Sequence, residues 1–163
     1  MTQQETFTRL YKQYAPGIRK LCMGYTGSAA QAEDLVQESF MAVWNNMPKY
    51  RGEASWGTWI YRIAVNTCLL YLRKERSKPK KIADDVLQYM AQEEHNPDNE
   101  VQQLYKCISR LPETDRLIIS MVLEELPYED IASIAGITEN NLRVKIHRIK
   151  KSLTEMFNSY ARV

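Results

Sequence analysis

Membrane spans, signal peptides and fibrous repeats are all missing from this 163-residue sequence. No apolar run approaches the roughly 20 residues that a membrane-spanning helix requires. The first five residues, Met-Thr-Gln-Gln-Glu, lack the basic segment and apolar core of a secretory signal. Six glycines and six prolines are too few for a collagen-like or other fibrous chain. We therefore expect a soluble globular protein located in the cytoplasm.

Cysteine and histidine are also scarce, which argues against disulfide, metal and catalytic chemistry. Cys22, Cys68 and Cys107 are odd in number and far apart, so neither a disulfide framework nor a four-ligand zinc site is expected. Each lies in an apolar helical pattern and is predicted to be a small buried side chain. His147 has no second ligand at metal-binding spacing. Without a Ser/His/Asp set or a glycine-rich phosphate loop, we predict a protein that is not an enzyme and uses no cofactor.

A net charge of +2 conceals an uneven distribution of charge along the chain. Residues 1–76 contain ten Lys/Arg and six Asp/Glu, whereas residues 99–163 contain nine of each. Residues 143–151 nevertheless contain five basic side chains and no acidic one. Polyanions respond to local clusters rather than to the total, so this segment indicates a nucleic-acid partner.

Apolar side chains recur at three- and four-residue steps, which predicts an all-α protein. We predict two small helical domains, over residues 1–76 and residues 99–163, joined by a flexible polar linker over residues 77–98. Pro16 predicts either a kink in the first helix or a break into two helices. A short amphipathic helix is predicted within the linker, at residues 82–90.

Residues 127–153 have the pattern of a helix-turn-helix. Gly136 allows the positive φ of a tight turn, and Thr138 accepts hydrogen bonds at the start of the second helix. Polar side chains on the outer face of that helix are assigned to base edges in the major groove: Asn140, Arg143 and His147. The cations that flank them are assigned to phosphates: Lys145, Arg148 and Lys151. The alternative is a solvated basic face on an ordinary bundle helix.

The predicted helix over residues 28–46 has an apolar face and a polar face. The apolar face consists of Leu35, Val36, Phe40, Val43 and Met47. The polar face consists of Asp34, Gln37, Glu38, Met41 and Asn45. Periodicity alone interprets the polar face as solvated surface and indicates no partner for it.

The predicted helix over residues 55–76 carries cations along one side and aromatic rings in its first turns. The cationic side consists of Arg62, Asn66, Leu69, Arg73 and Arg76, and another side consists of Ile60, Ile63, Ala64, Thr67 and Leu70. The aromatic residues are Trp56, Trp59 and Tyr61. Rings beside cations suit single-stranded nucleic acid, which stacks its bases on them. The alternative places Trp59 in the core and the arginines on an ordinary surface.

Two long motifs resemble signatures of the extracytoplasmic-function (ECF, group IV) sigma factors, a branch of the sigma-70 family of RNA polymerase subunits. Residues 32–40 read Ala-Glu-Asp-Leu-Val-Gln-Glu-Ser-Phe, and Val43 and Trp44 follow. Residues 51–64 read Arg-Gly-Glu-Ala-Ser-Trp-Gly-Thr-Trp-Ile-Tyr-Arg-Ile-Ala. Leu-Pro-Glu at residues 111–113 and the helix-turn-helix resemble region 4 of the same family. The resemblance covers nearly the whole chain.

The resemblance implies a subunit that binds core RNA polymerase, directs it to promoter DNA and promotes strand opening. The polymerase would contact Asp34, Leu35, Gln37, Glu38 and Phe40. The −10 element would be opened and held by Trp56, Trp59, Tyr61, Arg62, Asn66, Arg73 and Arg76, with Asn66 at a pocket for a flipped-out base. The −35 element would be read by Thr138, Asn140, Arg143, Lys145, His147, Arg148 and Lys151. An anti-sigma factor is implied as a further partner.

The sequence leaves two alternatives and one departure from the family pattern. Most members have Thr-Val-Lys-Ser-Arg where residues 141–145 read Asn-Leu-Arg-Val-Lys, so base preference does not carry over. A conventional helix-turn-helix regulator would bind duplex DNA tightly without docking on polymerase. An interaction module would occupy polymerase without reading promoters.

The linker of 22 residues spans at most about 70 Å, which allows two DNA-binding units to lie on one promoter.

Overall fold

The computed structural model describes residues 1–76 and 99–161, and every regular element in these stretches is helical. The elements of the first stretch are α1 (Gln3–Thr26), α2 (Ala29–Asn46), a 3-10 turn (Met47–Lys49) and α3 (Trp56–Arg76). The elements of the second are α4 (Asn99–Ser109), α5 (Glu113–Leu123), α6 (Tyr128–Ala135) and α7 (Glu139–Ala161). The all-α prediction is confirmed, while the short helix predicted at residues 82–90 lies outside the described residues.

Side-chain caps set the starts of the N-terminal helices. Ser28 Oγ accepts a hydrogen bond from the Gln31 amide at 3.3 Å, and Ser55 Oγ accepts one from the Thr58 amide at 3.2 Å. Both serines satisfy amides that have no partner within the helix.

Pro16 lies inside α1 on its exposed side, and the helix continues through it without a break.

Helices α1, α2 and α3 pack on one another as an N-terminal bundle. The whole predicted apolar face of α2 is buried. The buried row of α3 consists of Ile60, Tyr61, Ala64, Val65 and Cys68. Leu70, which the sequence places on the side of α3 away from the cations, is 56% exposed. The buried side of α3 includes Tyr61, Val65 and Cys68 and does not include Leu70.

The three cysteines are buried and free, as the sequence predicts. Cys22 Sγ on α1 lies 4.0 Å from Cys68 Sγ on α3. The contact with Cys22, together with burial, raises the pKa of the Cys68 thiol well above its ordinary value. The protonated form is the less reactive form of a thiol, so these groups act as packing side chains.

Helices α4 to α7 form a C-terminal bundle around the inner stripe of α7. This stripe consists of Leu142, Ile146, Ile149 and Leu153, which are all buried as predicted. Ile131 and Ala132 of α6 are buried beside it. The short helix α6 therefore packs directly against α7, as the two helices of a helix-turn-helix do.

The two bundles are packed against each other. Helix α1 contacts α4 and α5, and α3 contacts α6. Arg116 of α5 donates a hydrogen bond from Nη1 to the Tyr25 carbonyl of α1 at 2.6 Å. Among the described helices, none combines the length and apolar character that a membrane crossing requires.

Candidate nucleic-acid interface

A tight turn joins α6 to α7 and sets the direction of the second helix. Gly136 adopts φ 72°, the left-handed region that glycine reaches without steric cost. The Ile137 amide donates to the Ala132 carbonyl at 3.1 Å, and Thr138 Oγ1 accepts from the Asn141 amide at 3.2 Å. These bonds satisfy the end of α6 and the start of α7, so the predicted turn chemistry is present.

The outer face of α7 is open to solvent. All three side chains assigned to bases are exposed, namely Asn140, Arg143 and His147. The Arg143 guanidinium lies 3.8 Å from a Glu139 carboxylate oxygen and 5.7 Å from the centre of the Tyr128 ring. These neighbours restrict Arg143 to the outer face, where a helix in the major groove presents its reading residues.

The flanking cations on α7 differ in their surroundings. Arg148 and Lys151 are exposed. Lys145 is half-buried, and its Nζ lies 3.9 Å from Asp115 Oδ1 of α5. Lys145 therefore supports the packing of α7 on α5 as well as presenting charge near the outer face.

The basic side of α3 is only partly open. Asn66 and Arg73 are exposed, whereas Arg62 is half-buried and donates from Nη2 to Ser133 Oγ of α6 at 2.9 Å. The assigned side chain of Arg76 lies outside the described part of the structure. The structure therefore aligns Asn66 and Arg73 on one surface and occupies Arg62 with the other bundle.

Aromatic rings form a cluster at the start of α3. The rings of Tyr50 and Trp56 are stacked with centres 3.6 Å apart, and Trp59 meets Tyr50 edge-on at 5.3 Å. The Tyr50 hydroxyl donates to the Ala54 carbonyl and closes the loop before α3. All three rings are half-buried, so each keeps some open surface. Sequence reasoning missed Tyr50, although an aromatic residue directly before the second motif was a visible signal.

Tyr61 does not belong to this cluster, and its assignment to DNA is corrected. It is 5% exposed, and a Cβ built at Gly17 of α1 would lie only 2.1 Å from its hydroxyl oxygen. Burial raises the pKa of the Tyr61 hydroxyl, which stays protonated. Tyr61 packs α3 against α1 and is not available to stack on a base.

The outer face of α2 combines exposed acids with an apolar groove. Asp34, Gln37 and Glu38 are exposed as predicted. Beside them lies a groove of about 470 Å³, lined by Phe7, Tyr11, Gln37, Phe40, Met41, Trp44 and Asn45. Met41 is 65% exposed, and Tyr11 and Trp44 in the same groove are each 39% exposed, so the groove presents a contiguous apolar patch.

Two residues assigned to polymerase contact lie in the interior instead. Leu35 is 1% exposed and Phe40 is 3% exposed. Phe40 packs edge-on against Tyr11, with ring centres 4.8 Å apart. Their role is to hold α2 in place, because a partner cannot make extensive contact with side chains that are already covered. A sequence motif includes both the exposed residues that can contact a partner and the buried residues that hold the helix in place, and the motif alone does not separate them.

No group of three or more His, Cys, Asp or Glu side chains able to hold a metal ion occurs in the described stretches. The surfaces present cations, amides and aromatic rings, which bind by charge, hydrogen bonding and stacking.

Comparison with known proteins shows which family this chain belongs to. The family model for sigma-70 region 2 matches residues 10–78, and that for sigma-70 region 4 matches residues 101–153. The chain is 30% identical to the ECF RNA polymerase sigma-E factor of Escherichia coli (strain K12), covering 92% of this chain and 85% of that protein. The ECF RNA polymerase sigma-E factor of Salmonella typhimurium (strain LT2) matches to the same extents. This chain belongs to the ECF sigma factors of the sigma-70 family.

The fold of this sigma factor is shared with a solved structure. The sigma factor RpoE of Bartonella quintana, in complex with the anti-sigma factor NepR, matches with a TM-score of 0.74 and 19% identity. The match covers 94% of this chain and 98% of that one. Family membership confirms a transcription initiation factor that is not an enzyme, and the alternative of a conventional helix-turn-helix regulator is not favoured.

Proposed function

We propose that this sigma factor works through three surfaces on two domains. The outer face of α2 binds core RNA polymerase, the basic side of α3 holds the opened −10 element, and the outer face of α7 reads the −35 element as duplex. The domain division is residues 1–76 for region 2, residues 77–98 for the linker and residues 99–163 for region 4.

The observation that supports this proposal is that two exposed surfaces of different chemistry lie on separate bundles. Helix α7 presents exposed Asn140 and Arg143 on a helix that fits the major groove. Helix α3 presents Asn66 and Arg73 beyond a cluster of half-buried aromatic rings, which suits a separated strand. A duplex-binding regulator needs the first surface and has no use for the second.

Strand opening requires a place for a base that leaves the stack. Trp56 and Trp59 contact each other and Tyr50, so the rings form a fixed platform rather than mobile side chains. Asn66 lies about two turns further along the exposed side of α3 and offers an amide to a base edge. Extruding a base costs a few kcal/mol, which preformed contacts of this kind offset.

Polymerase docking is assigned to the exposed part of α2 rather than to the whole motif. Asp34, Gln37 and Glu38 provide polar contacts, and Met41 with Trp44 provides an adjacent apolar surface. Interfaces between proteins commonly combine an apolar centre with polar contacts around it, and this face of α2 offers both. Leu35 and Phe40 support the helix from the core.

An anti-sigma factor is proposed as the regulatory partner, supported by the related sigma factor solved in complex with NepR. Partners of this sigma factor are then core polymerase, promoter DNA and an anti-sigma factor. Because polymerase and the chromosome share the cytoplasm, we assign the protein to that compartment.

Replacement of Asn66 tests the strand-opening surface. In Asn66→Ala, permanganate footprinting with core polymerase should show fewer open complexes, while duplex binding of the holoenzyme is unchanged. Leu70→Ala is the matched control, because Leu70 is exposed on the same helix and has no assigned role. Equal open-complex yields for Asn66→Ala and the wild type would refute the pocket assignment.

A gel shift separates this proposal from the regulator alternative. The sigma factor should bind promoter duplex weakly alone and strongly once core polymerase is added. Tight and specific binding by the chain alone, unchanged by polymerase, would favour the conventional regulator.

A further inference from the structure

Val144 is an exposed apolar side chain on the outer face of α7. It is 50% exposed and is not part of the hydrophobic core. Successive residues of an α-helix are about 100° apart, so Val144 lies almost opposite the middle of the buried stripe of α7. Its neighbours one turn away on this face are exposed and polar or basic, namely Asn140, His147 and Arg148. Val144 is therefore the apolar centre of the face that we assign to the −35 element.

Neither helix stability nor internal packing explains a valine at this position. A β-branched side chain is less favourable in a helix than the lysine, arginine or glutamate that exposed positions usually carry. The side chain also adds nothing to the core of the C-terminal bundle. Val144 stands at one of the positions where this chain departs from the usual family pattern, which has serine there. A contact outside the chain is then the remaining use for an apolar group here.

The charges around Val144 indicate the partner that it meets. Residues 143–151 contain five basic side chains and no acidic one, so the surface attracts the phosphates of a duplex. Major-groove base edges present mainly hydrogen-bonding groups, and the C5-methyl group of thymine is the apolar group among them. An apolar side chain between cations and amides on a groove-binding helix is complementary to that methyl group.

We propose, on the basis that α7 reads duplex DNA as proposed above, that Val144 contacts the C5-methyl group of one thymine in the −35 element and selects thymine at that position. The Cα atoms of Arg143 and Val144 are about 3.8 Å apart, and successive base pairs are about 3.4 Å apart. The selected thymine, on either strand, should therefore lie within about two base pairs of the position that Arg143 reads.

Deoxyuridine provides the test, because it lacks the methyl group of thymine and keeps the same hydrogen-bonding groups. The probe is a promoter duplex recovered from randomised sequences by the holoenzyme of this chain with core polymerase. Each thymine of its −35 block is replaced in turn by deoxyuridine, and holoenzyme binding is measured by competition gel shift. Replacement at the thymine that Val144 contacts should weaken binding about fourfold, the effect of leaving one methyl group unburied.

Two matched variants connect this effect to Val144. Val144→Ser removes both methyl groups of the side chain, so its holoenzyme should bind the thymine duplex about fourfold more weakly. It should also no longer distinguish thymine from deoxyuridine at that position. Val101→Ser is the control, because Val101 is 53% exposed on α4 and is assigned to no DNA contact. This control should keep the full deoxyuridine effect, and thermal unfolding verifies that both variants are folded.

The outcomes distinguish the role of Val144 from the proposed function of α7. Loss of one deoxyuridine effect in Val144→Ser but not in Val101→Ser would support the thymine contact. If a −35 block is selected but no deoxyuridine weakens binding, or if every deoxyuridine effect is the same size in Val144→Ser, the contact is refuted and duplex reading by α7 stands. If the wild-type holoenzyme selects no −35 block at all, the proposed function of α7 fails, and the thymine contact fails with it.

Discussion

Arg143 illustrates how individual side chains on α7 are prepared for base reading. Its guanidinium is restrained by Glu139 and Tyr128, both within reach on the same side of the helix-turn-helix. Exposed ion pairs of this kind contribute little stability, so the restraint mainly limits where the group points. A preoriented arginine can donate two hydrogen bonds to guanine.

Arg143→Ala should therefore lose discrimination at one duplex position, by about 1–3 kcal/mol. Lys151→Ala is the comparison, since a phosphate contact weakens binding of all sequences and lowers the salt dependence by about one unit of slope. Both are measured by selecting randomised duplexes with the holoenzyme and sequencing the bound fraction. Loss of preference at many positions in Arg143→Ala, or at one position in Lys151→Ala, would contradict the assignment.

Glu124 makes the contact between the bundles sensitive to pH. Burial raises the pKa of its carboxyl group above the ordinary value of 4.5, and Lys20 opposes part of this shift. The neighbouring Glu125 raises the pKa further. Because the folded, packed state has the higher pKa, it binds the proton better, and its stability falls as the pH rises through that pKa.

Glu124→Gln should remove this dependence. We expect the wild type to lose stability relative to Glu124→Gln as the pH rises from the ordinary carboxyl pKa of 4.5 through the raised one. Urea denaturation of both proteins across this range measures it. A difference that is constant with pH would show that Glu124 does not titrate differently in the folded state.

At the scale of single elements, local patterns predicted most of what was found. The two faces of α2 and the inner stripe of α7 follow from three- and four-residue spacing, and Gly136 and Thr138 mark the turn between α6 and α7. Helix α3 was less predictable. Its apolar residues are spread around the helix, so spacing did not separate the buried Val65 from the exposed Leu70.

The docking helix α2 allows contact and support to be separated by mutation. Asp34→Ala combined with Glu38→Ala removes exposed carboxylates and should abolish polymerase association at an unchanged melting temperature. Phe40→Ala empties a buried site and should destabilise the bundle by about 3–5 kcal/mol. Pull-down with core polymerase and thermal unfolding measure the two effects. A double variant that unfolds, or one that still binds polymerase fully, would contradict the assigned docking face.

At the scale of the whole molecule, the sequence predicted two helical domains but not their packing. That packing depends on single contacts between residues far apart in the chain. Arg116 bonds Tyr25 across 91 positions, and Arg62 bonds Ser133 across 71. Motif resemblance likewise marked Tyr61 for DNA, although the fold uses it in the core. Long-range contacts decide these points, and local spacing carries no information about them.

The central claim is that this chain gives core RNA polymerase a new choice of start sites. Transcription of fragmented genomic DNA by core polymerase, with and without the purified chain, followed by mapping of RNA 5′ ends, tests it directly. We predict discrete new start sites that share one sequence block near −10 and a second near −35. A start-site profile identical to that of core polymerase alone would contradict the account.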